Sequence, residues 1–122
     1  MRNILIAEDE ESLLNIVGTV LSDEGYGVRK SSNAEEALQS CEKERPDLII
    51  CDVKMGNMDG FTLLEKLKAT EKLKNIPFIF MTSFDSLEAK KRGLGLGADA
   101  YITKPFDVDD LVETVKKLSP PG

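Results

Sequence analysis

The sequence predicts an α/β fold in which five parallel strands form one doubly wound sheet that is covered by five helices. Strand-like apolar runs alternate with helical patterns along the chain, as is typical of a parallel sheet with helices on both faces. The runs near residues 4, 48 and 78 are almost continuously apolar, which favours strands buried on both faces. The predicted strands are Asn3–Ala7, Tyr26–Lys30, Asp47–Asp52, Phe78–Thr82 and Ala100–Thr103.

The first two helices are predicted from apolar periodicity and from capping residues. The first covers about Glu11–Glu24 and ends at Gly25, a residue suited to a left-handed cap. The second opens with a capping-box pattern over Ser32–Glu35, and Pro46 closes the loop after it. The predicted apolar faces contain Leu13, Leu14, Ile16, Val17, Val20 and Leu21 in the first helix and Ala34, Ala37, Leu38 and Cys41 in the second.

The remaining helices have weaker signals. The third covers about Phe61–Thr70 after an Asp59 N-cap, the fourth covers about Asp85–Leu94, and the fifth follows an Asp107 N-cap. The fourth is the least apolar, so we expect it to be mobile or partly exposed. The residues predicted to pack against the sheet are Phe61, Leu64 and Leu67 in the third helix and Leu111, Val112, Val115 and Leu118 in the fifth.

The size and charge of the chain restrict its function. A length of 122 residues fits one domain that is large enough for a hydrophobic core. We place the domain at 1–118 and a tail or the start of a linker at 119–122. The net charge of -6 argues against direct binding to nucleic acid or to an anionic membrane. No apolar run approaches the roughly 20 residues of a membrane span. No signal peptide is visible, so we expect a cytoplasmic protein.

Histidine and cysteine usage excludes several kinds of site. The chain has no histidine, which excludes histidine-based triads and histidine-ligated zinc. Any histidine phosphodonor must therefore be another polypeptide. The two cysteines, Cys41 and Cys51, lack the spacing of a metal or disulfide pair, and we predict small buried thiols.

Polar side chains stand at the ends of four predicted strands. Glu8 and Asp9 follow the first, Asp52 ends the third, Thr82 ends the fourth, and Lys104 follows the fifth. Ligands of open α/β sheets bind outside the carboxyl ends of the strands, so we expect these groups to meet there. Three carboxylates, a hydroxyl and an ammonium group indicate a site for a divalent cation and a phosphoryl group.

Each of these residues also has a purely structural interpretation. Acidic residues before a helix complement its dipole, a role that we assign to Glu10 and Glu11. Asp52 can be a solvated strand terminus, and Lys104 a surface lysine. These interpretations would all have to hold at once, which favours a shared site. Mg²⁺ suits it because that ion takes oxygen ligands, and Asp52 could act as a nucleophile that forms an acyl phosphate.

Two further patterns concern the fourth and fifth strands. A capping box over Asp85–Glu88 is predicted to cap the fourth helix, which leaves the hydroxyl of Thr82 free to donate to a phosphoryl oxygen. Lys104 would place a compact positive charge on the phosphate. The bond to Pro105, which follows it, is predicted to be cis.

With these residues in place, the chain resembles a receiver domain of two-component response regulators over nearly its whole length. The resemblance implies the flavodoxin-like strand order 2-1-3-4-5. The segments that carry it are Ile4–Glu10, Asp47–Asp52, Met58–Gly60 and Gly97–Pro105.

The resemblance implies a role for each site residue. Asp52 is the phosphoacceptor, and Tyr101 turns inward when Thr82 moves toward the phosphate. The implied ligands of Mg²⁺ or Mn²⁺ are Glu8, Asp9, Asp52 and the main-chain carbonyl of Lys54. The implied catalytic residues are Asp52, Thr82 and Lys104, and the phosphoryl group is bound by Thr82, Ser83 and Lys104. The implied switch residues are Thr82 and Tyr101.

Some positions depart from the common pattern of this family. Glu8 replaces the commoner aspartate, and Gly56 stands where proline is frequent. Lys54 and Phe84 occupy positions that tune hydrolysis of the acyl phosphate in this family. We hypothesise that the bulky Phe84 hinders the attacking water.

The resemblance implies a signalling function. Asp52 would take a phosphoryl group from a partner sensor histidine kinase or phosphotransfer protein in a Mg²⁺-dependent reaction. The fourth helix, fifth strand and fifth helix would change, and an effector domain, a downstream protein or a phosphorylation-dependent homodimer would read the change. The chain would catalyse only its own phosphorylation and dephosphorylation.

Four alternatives compete with this interpretation. The closest is a phosphorylation-independent pseudo-receiver that acts as a protein-interaction module, and the complete site set argues against it. An FMN binder would need phosphate-binding hydroxyls in the first loop, which is acidic here. A haloacid-dehalogenase-type phosphatase needs a carboxylate where Lys54 stands, and the lack of GxxxxGK[ST] excludes a P-loop nucleotidase.

Overall fold

Strands and helices alternate strictly in the computed structural model, which describes residues 1–122. The strands are β1 (Asn3–Ala7), β2 (Gly27–Ser31), β3 (Leu48–Cys51), β4 (Phe78–Thr82) and β5 (Ala100–Thr103). The helices are α1 (Glu11–Asp23), α2 (Ala34–Lys43), α3 (Gly60–Lys68), α4 (Leu87–Gly95) and α5 (Val108–Leu118). All strands pair in parallel in the order β2-β1-β3-β4-β5. The predicted α/β fold and its flavodoxin-like strand order are confirmed.

The sheet is covered on both faces, which explains why its central strands are continuously apolar. Successive side chains of a strand point to opposite faces. In β1, Ile4 and Ile6 therefore join the core with α1 and α5, and Leu5 and Ala7 join the core with α2, α3 and α4. Every residue of β3 and β4 is buried. A strand with two buried faces has no position for a polar side chain until it ends.

The strand register brings the polar residues to one edge of the sheet. Ala7 pairs with Cys51, and Thr82 pairs with Thr103. The residues that follow these strands therefore emerge together, as the sequence predicts for Glu8, Asp52 and Lys104.

The prediction that Ile16 lies on the apolar face of α1 is wrong. Ile16 is 55% exposed, whereas Leu14, Val17 and Leu21 are buried. Residues two apart do not share a face of a helix. Ile16 therefore points away from the stripe that Leu14 and Val17 define.

Two predicted capping boxes lie one residue away from the observed caps. Asn33 caps α2 by accepting a hydrogen bond from the amide of Glu36 at 2.8 Å, so the cap is not Ser32. Ser86 caps α4 by accepting from the amide of Ala89 at 3.1 Å, so the cap is not Asp85. An N-cap side chain must reach the second or third helical amide, and the exact start of the helix selects it.

Other local predictions are confirmed. Asp59 and Asp107 cap α3 and α5, and Gly25 has a φ of 97° after α1. The Lys104–Pro105 peptide bond is cis. In α4 only Ala89 and Gly93 are buried, which confirms its partial exposure, while its mobility stays a prediction.

Both cysteines are buried free thiols, as predicted. Burial raises the pKa of the Cys41 thiol to about 11. Burial also raises the pKa of Cys51 well above its usual value, and the negative charge of Asp52 adds to this. Both side chains are therefore neutral, small apolar groups of the core.

The end of the chain is attached to the fold through Ser119. This residue is buried, and its carbonyl accepts a hydrogen bond from the hydroxyl of Tyr26 at 2.6 Å. The predicted boundary at 118 stays a prediction. None of the five helices has the length and apolar character that a membrane span requires.

The close approach of α3 to the end of β3 gives a stability prediction. A Cβ added at Gly60 would overlap the main-chain oxygen of Asp52, whereas a Cβ added at Gly95 would meet nothing within 4 Å. We expect Gly60→Ala to destabilise the protein by about 1–3 kcal/mol through overpacking. Gly95→Ala is the matched control, and we expect it to be neutral or stabilising by up to about 1 kcal/mol. Urea unfolding measures both, and equal stabilities of the two variants would contradict the close approach.

Candidate functional site

Glu8 is a buried carboxylate at the end of β1. It is 1% exposed, and its Oε1 accepts a hydrogen bond from Nζ of Lys104 at 2.7 Å. Its Oε2 accepts from the amide of Glu10 at 3.1 Å. Burial raises the pKa of Glu8, and the negative charge of Asp52 adds to the rise, while the bonds from Lys104 and Glu10 oppose it. Glu8 is thus a desolvated group that needs positive charge nearby.

Asp52 stands directly after β3 and is 7% exposed. Its amide donates to the carbonyl of Ala7 at 3.1 Å, which extends the pairing of β1 and β3 by one residue. Its carbonyl accepts a hydrogen bond from the Cys51 thiol at 3.0 Å. Its side-chain Oδ2 accepts from Lys104 at 3.0 Å. The main chain of Asp52 is therefore fixed, and its carboxylate faces the edge of the sheet.

The carboxylates of Glu8, Asp9 and Asp52 form an acidic cluster. One oxygen of each lies within 4.8 Å of the others, with Glu8 and Asp52 buried and Asp9 exposed. Carboxylates this close repel one another unless a cation or a proton lies between them. Oxygen-only donors, with one side open to solvent, fit a hard divalent ion such as Mg²⁺. The residues present therefore fit the ion that the sequence predicts.

Lys104 connects two of these carboxylates across the sheet. Its ammonium group donates to both Glu8 and Asp52, and its amide donates to the carbonyl of Thr82 at 2.8 Å. Burial opposes the charge of Lys104, but the bonds to Glu8 and Asp52 and their negative charges outweigh it and raise its pKa. Lys104 is therefore held in its charged form beside the carboxylates of Glu8 and Asp52.

Thr82 and Tyr101 are linked through the main chain of Phe84. Thr82 is 1% exposed, and its Oγ1 accepts from the amide of Phe84 at 3.1 Å. The hydroxyl of Tyr101 donates to the carbonyl of Phe84. The Tyr101 ring lies inward, with its centroid 5.6 Å from that of Phe80. Burial raises the pKa of Tyr101, and the charges of Asp52 and Asp85 add to this.

The other predicted residues lie at the rim. Ser83 is exposed and makes no side-chain hydrogen bond, so the structure gives no contact between its hydroxyl and the cluster. The ammonium group of Lys54 lies 4.6 Å from the centre of the Phe84 ring. The role of the Lys54 carbonyl stays a prediction.

Several contacts of the site were not predicted, and three of them involve its central residues. They are the bond from Lys104 to Glu8, the bond from the Cys51 thiol to Asp52, and the bond from Tyr101 to Phe84. The first had a signal, because a buried glutamate at a strand end needs a cation. The other two involve main-chain carbonyls, which no sequence pattern distinguishes.

Comparison with known proteins agrees with this geometry. The family model of the response regulator receiver domain matches residues 4–116. Sporulation initiation phosphotransferase F of Bacillus subtilis is 36% identical over 117 residues, which cover 96% of this chain and 93% of that protein. The alkaline phosphatase synthesis transcriptional regulatory protein PhoP of the same species is 37% identical, and the match covers 96% of this chain and 48% of that protein. The chain spans about half the length of several curated relatives that it matches.

A solved structure gives the same result. The chemotaxis protein CheY4 of Vibrio cholerae superimposes with a TM-score of 0.90 at 32% identity, covering 97% of this chain and 98% of that chain. Sequence and structure thus agree over nearly the whole length of the chain, and the chain belongs to the response regulator receiver domain family.

Proposed function

We propose that Asp52 accepts a phosphoryl group from the phosphohistidine of a sensor histidine kinase or phosphotransfer protein. The observation that supports this most directly is the position of the Asp52 carboxylate, between two other carboxylates and the ammonium group of Lys104. Receiver domains of response regulators interact with histidine kinases and effector domains, and these 122 residues contain no histidine that could act as the donor. We expect no turnover of any other substrate.

The proposed transfer is a single displacement at phosphorus. An Asp52 carboxylate oxygen forms the new O–P bond, and the P–N bond to the donor imidazole breaks. The electron pair of the broken bond returns to the imidazole nitrogen. Lys104, which already binds Asp52, moves its hydrogen bond to a phosphoryl oxygen, and the hydroxyl of Thr82 donates to another. Positioning and charge stabilisation, which dominate phosphoryl transfer, are thus supplied by residues at three strand ends.

The charge balance of the site supports a requirement for a divalent cation. Glu8, Asp9 and Asp52 carry three negative charges and Lys104 carries one positive charge, so an incoming phosphoryl group meets net repulsion. Glu8, Asp9, Asp52 and the main-chain carbonyl of Lys54 would hold Mg²⁺ or Mn²⁺. The bound ion would neutralise charge on the phosphoryl oxygens. This requirement agrees with the general Mg²⁺ dependence of receiver domains.

The first prediction from this proposed function concerns the acceptor. After incubation with Mg²⁺ and acetyl phosphate, we expect intact mass to increase by one phosphoryl group, because Asp52 is the placed nucleophile. Asp52→Asn should abolish the adduct, and EDTA should abolish it in the unchanged protein. Asp23→Asn, at the exposed end of α1, is the matched control and should label normally. An unlabelled wild-type protein would favour the pseudo-receiver, and labelling of Asp52→Asn would exclude this acceptor.

We propose that Thr82 couples the phosphoryl group to the face formed by α4, β5 and α5. A movement of Thr82 toward the phosphoryl group breaks its bond to the amide of Phe84. The carbonyl of Phe84 accepts the hydrogen bond from the hydroxyl of Tyr101. The loop after β4 and the side chain of Tyr101 on β5 therefore have to adjust together. An effector domain, a downstream protein or a second copy of the chain would read the change.

The second prediction tests this coupling. Thr82→Val keeps the branched shape of the side chain but removes the hydroxyl, so we expect the adduct to form while the response of α4, β5 and α5 is lost. Amide chemical shifts recorded before and after phosphorylation measure that response. The matched control is Thr19→Val on the exposed side of α1, which should respond like the wild type. A normal response of Thr82→Val would contradict the coupling.

The lifetime of the acyl phosphate is proposed to depend on Phe84. Its ring lies under the ammonium group of Lys54, a cation–π contact that contributes about 0.5–1 kcal/mol at an exposed site. The two side chains belong to the loops that follow Asp52 and Thr82, so together they can restrict the approach of water to the site.

The third prediction tests whether Phe84 restricts the approach of water to the site. Phe84→Ala should shorten the half-life of the acyl phosphate severalfold, because the attacking water gains access. Phe84→Leu keeps apolar bulk and should change the half-life less. Loss of the adduct after removal of acetyl phosphate, followed by intact mass, gives both rates. An unchanged rate in Phe84→Ala would mean that the ring does not restrict water.

A further inference from the structure

A cleft of about 570 Å³ lies between the end of α2 and the segment that joins α3 to β4. Both segments lead into the amino-terminal ends of strands, so the cleft opens at the edge of the sheet opposite Asp52. Its walls carry three cations, Lys43, Arg45 and Lys72. The phosphorylation chemistry uses none of these residues.

The cations of this cleft are free to bind an anion. None of the three is within ion-pair distance of a carboxylate, although the chain has a net charge of -6. Glu42 is the single carboxylate in the lining, so the cleft is locally positive. An acidic protein that leaves three cations unpaired around one cleft has a local preference for negative ligands.

Arg45 is already fixed in position. Its Nε donates to the carbonyl of Lys72 at 3.1 Å, and its Nη1 donates to the carbonyl of Pro46 at 3.4 Å. A guanidinium group has five N–H donors, so three remain for a ligand. These bonds reduce the ordering cost at binding, and the remaining donors favour an anion with several acceptor oxygens, such as phosphate.

The helix end beside the cleft does not repel an anion strongly. The carboxyl end of a helix carries partial negative charge on its last carbonyls. Here the guanidinium group of Arg29 covers that end, donating to the carbonyls of Glu44 at 2.8 Å and Ser40 at 3.3 Å. The partial negative charge at the carboxyl end of α2 is thus offset by Arg29, which belongs to β2.

The floor of the cleft is apolar. Cys41 is 1% exposed and Leu73 is 4% exposed, and both line the cleft. The volume lies within the range of about 300–1,000 Å³ that is typical of small-molecule sites and exceeds what one phosphate group needs. A fitting ligand therefore combines a phosphate group with a flat, mostly apolar part.

We propose that this cleft binds a nucleoside phosphate. The phosphate groups contact Arg45, Lys43 and Lys72, the base lies against Cys41 and Leu73, and the carboxylate of Glu42 can accept from an amino group of the base. The site is separate from Asp52 and needs no divalent cation.

Calorimetric titration with ADP in EDTA tests the proposal, because chelation removes binding through the acidic cluster. We expect saturable binding at one site, with pyrophosphate and adenosine each binding more weakly than ADP. Pyrophosphate binding as tightly as ADP would overturn the nucleoside assignment, and absence of saturable ADP binding would overturn the site.

Two charge reversals complete the test. Lys72→Glu removes a cation whose side chain makes no hydrogen bond or ion pair, so the fold should persist, and ADP affinity should fall about tenfold. Lys90→Glu makes the same change on the exposed surface of α4 and should leave ADP affinity unchanged. Equal effects of the two variants would mean nonspecific attraction and would overturn the proposal. Amide shifts confined to residues 41–45 and 70–73 on ADP binding are also required.

Discussion

The hydrogen bonds of Lys104 to Glu8 and Asp52 are the contacts on which the site depends. Two carboxylates are desolvated at adjacent strand ends, and an uncompensated buried charge is expensive. Lys104 reaches them from β5, with β4 between, and its amide is fixed to Thr82. One ammonium group thus joins the ends of three strands. Buried ion pairs add little net stability because of their desolvation cost, so this arrangement supports the fold only weakly, and the role proposed for it is to bind the phosphoryl group.

The fold was predictable because the core strands β3 and β4 are apolar up to their ends. Every residue of β3 and β4 is buried, so their apolar runs end where the strands end, and the next polar residue marks the edge of the sheet. Finer features were less predictable. Ile16 belongs to an apolar run but lies on the outer side of α1, because a broad apolar pattern does not show how much of a helix its neighbours cover. The observed caps Asn33 and Ser86 each lie one residue after the predicted cap, since either of two adjacent polar residues can cap a helix.

Membership of the site was predictable, but its internal bonding was not. The rule that strand ends converge is enough to group Glu8, Asp52, Thr82 and Lys104. The rule does not predict which carboxylate binds the ammonium group of Lys104. In the structure Nζ of Lys104 lies 2.7 Å from an oxygen of Glu8 and 3.0 Å from an oxygen of Asp52. The resemblance implies that Tyr101 turns inward when Thr82 moves, whereas Tyr101 here already lies inward and bonded to Phe84 while Thr82 binds the amide of that residue. An inward Tyr101 is therefore compatible with the bond of Thr82 to the Phe84 amide.

The existing contacts limit how strongly phosphorylation can drive the proposed switch. A change from 1:99 to 99:1 requires about 5.5 kcal/mol of differential interaction. A hydrogen bond to a charged group contributes about 1.5–3 kcal/mol, but Lys104 already binds Asp52, and Thr82 must give up the Phe84 amide. If each residue exchanges its present bond for a stronger one, the two together supply less than two full charge-assisted bonds. Phosphorylation of the isolated domain should then shift its population only in part. A partner that binds the shifted face would supply the remaining free energy, which links the response of this domain to the partner's presence.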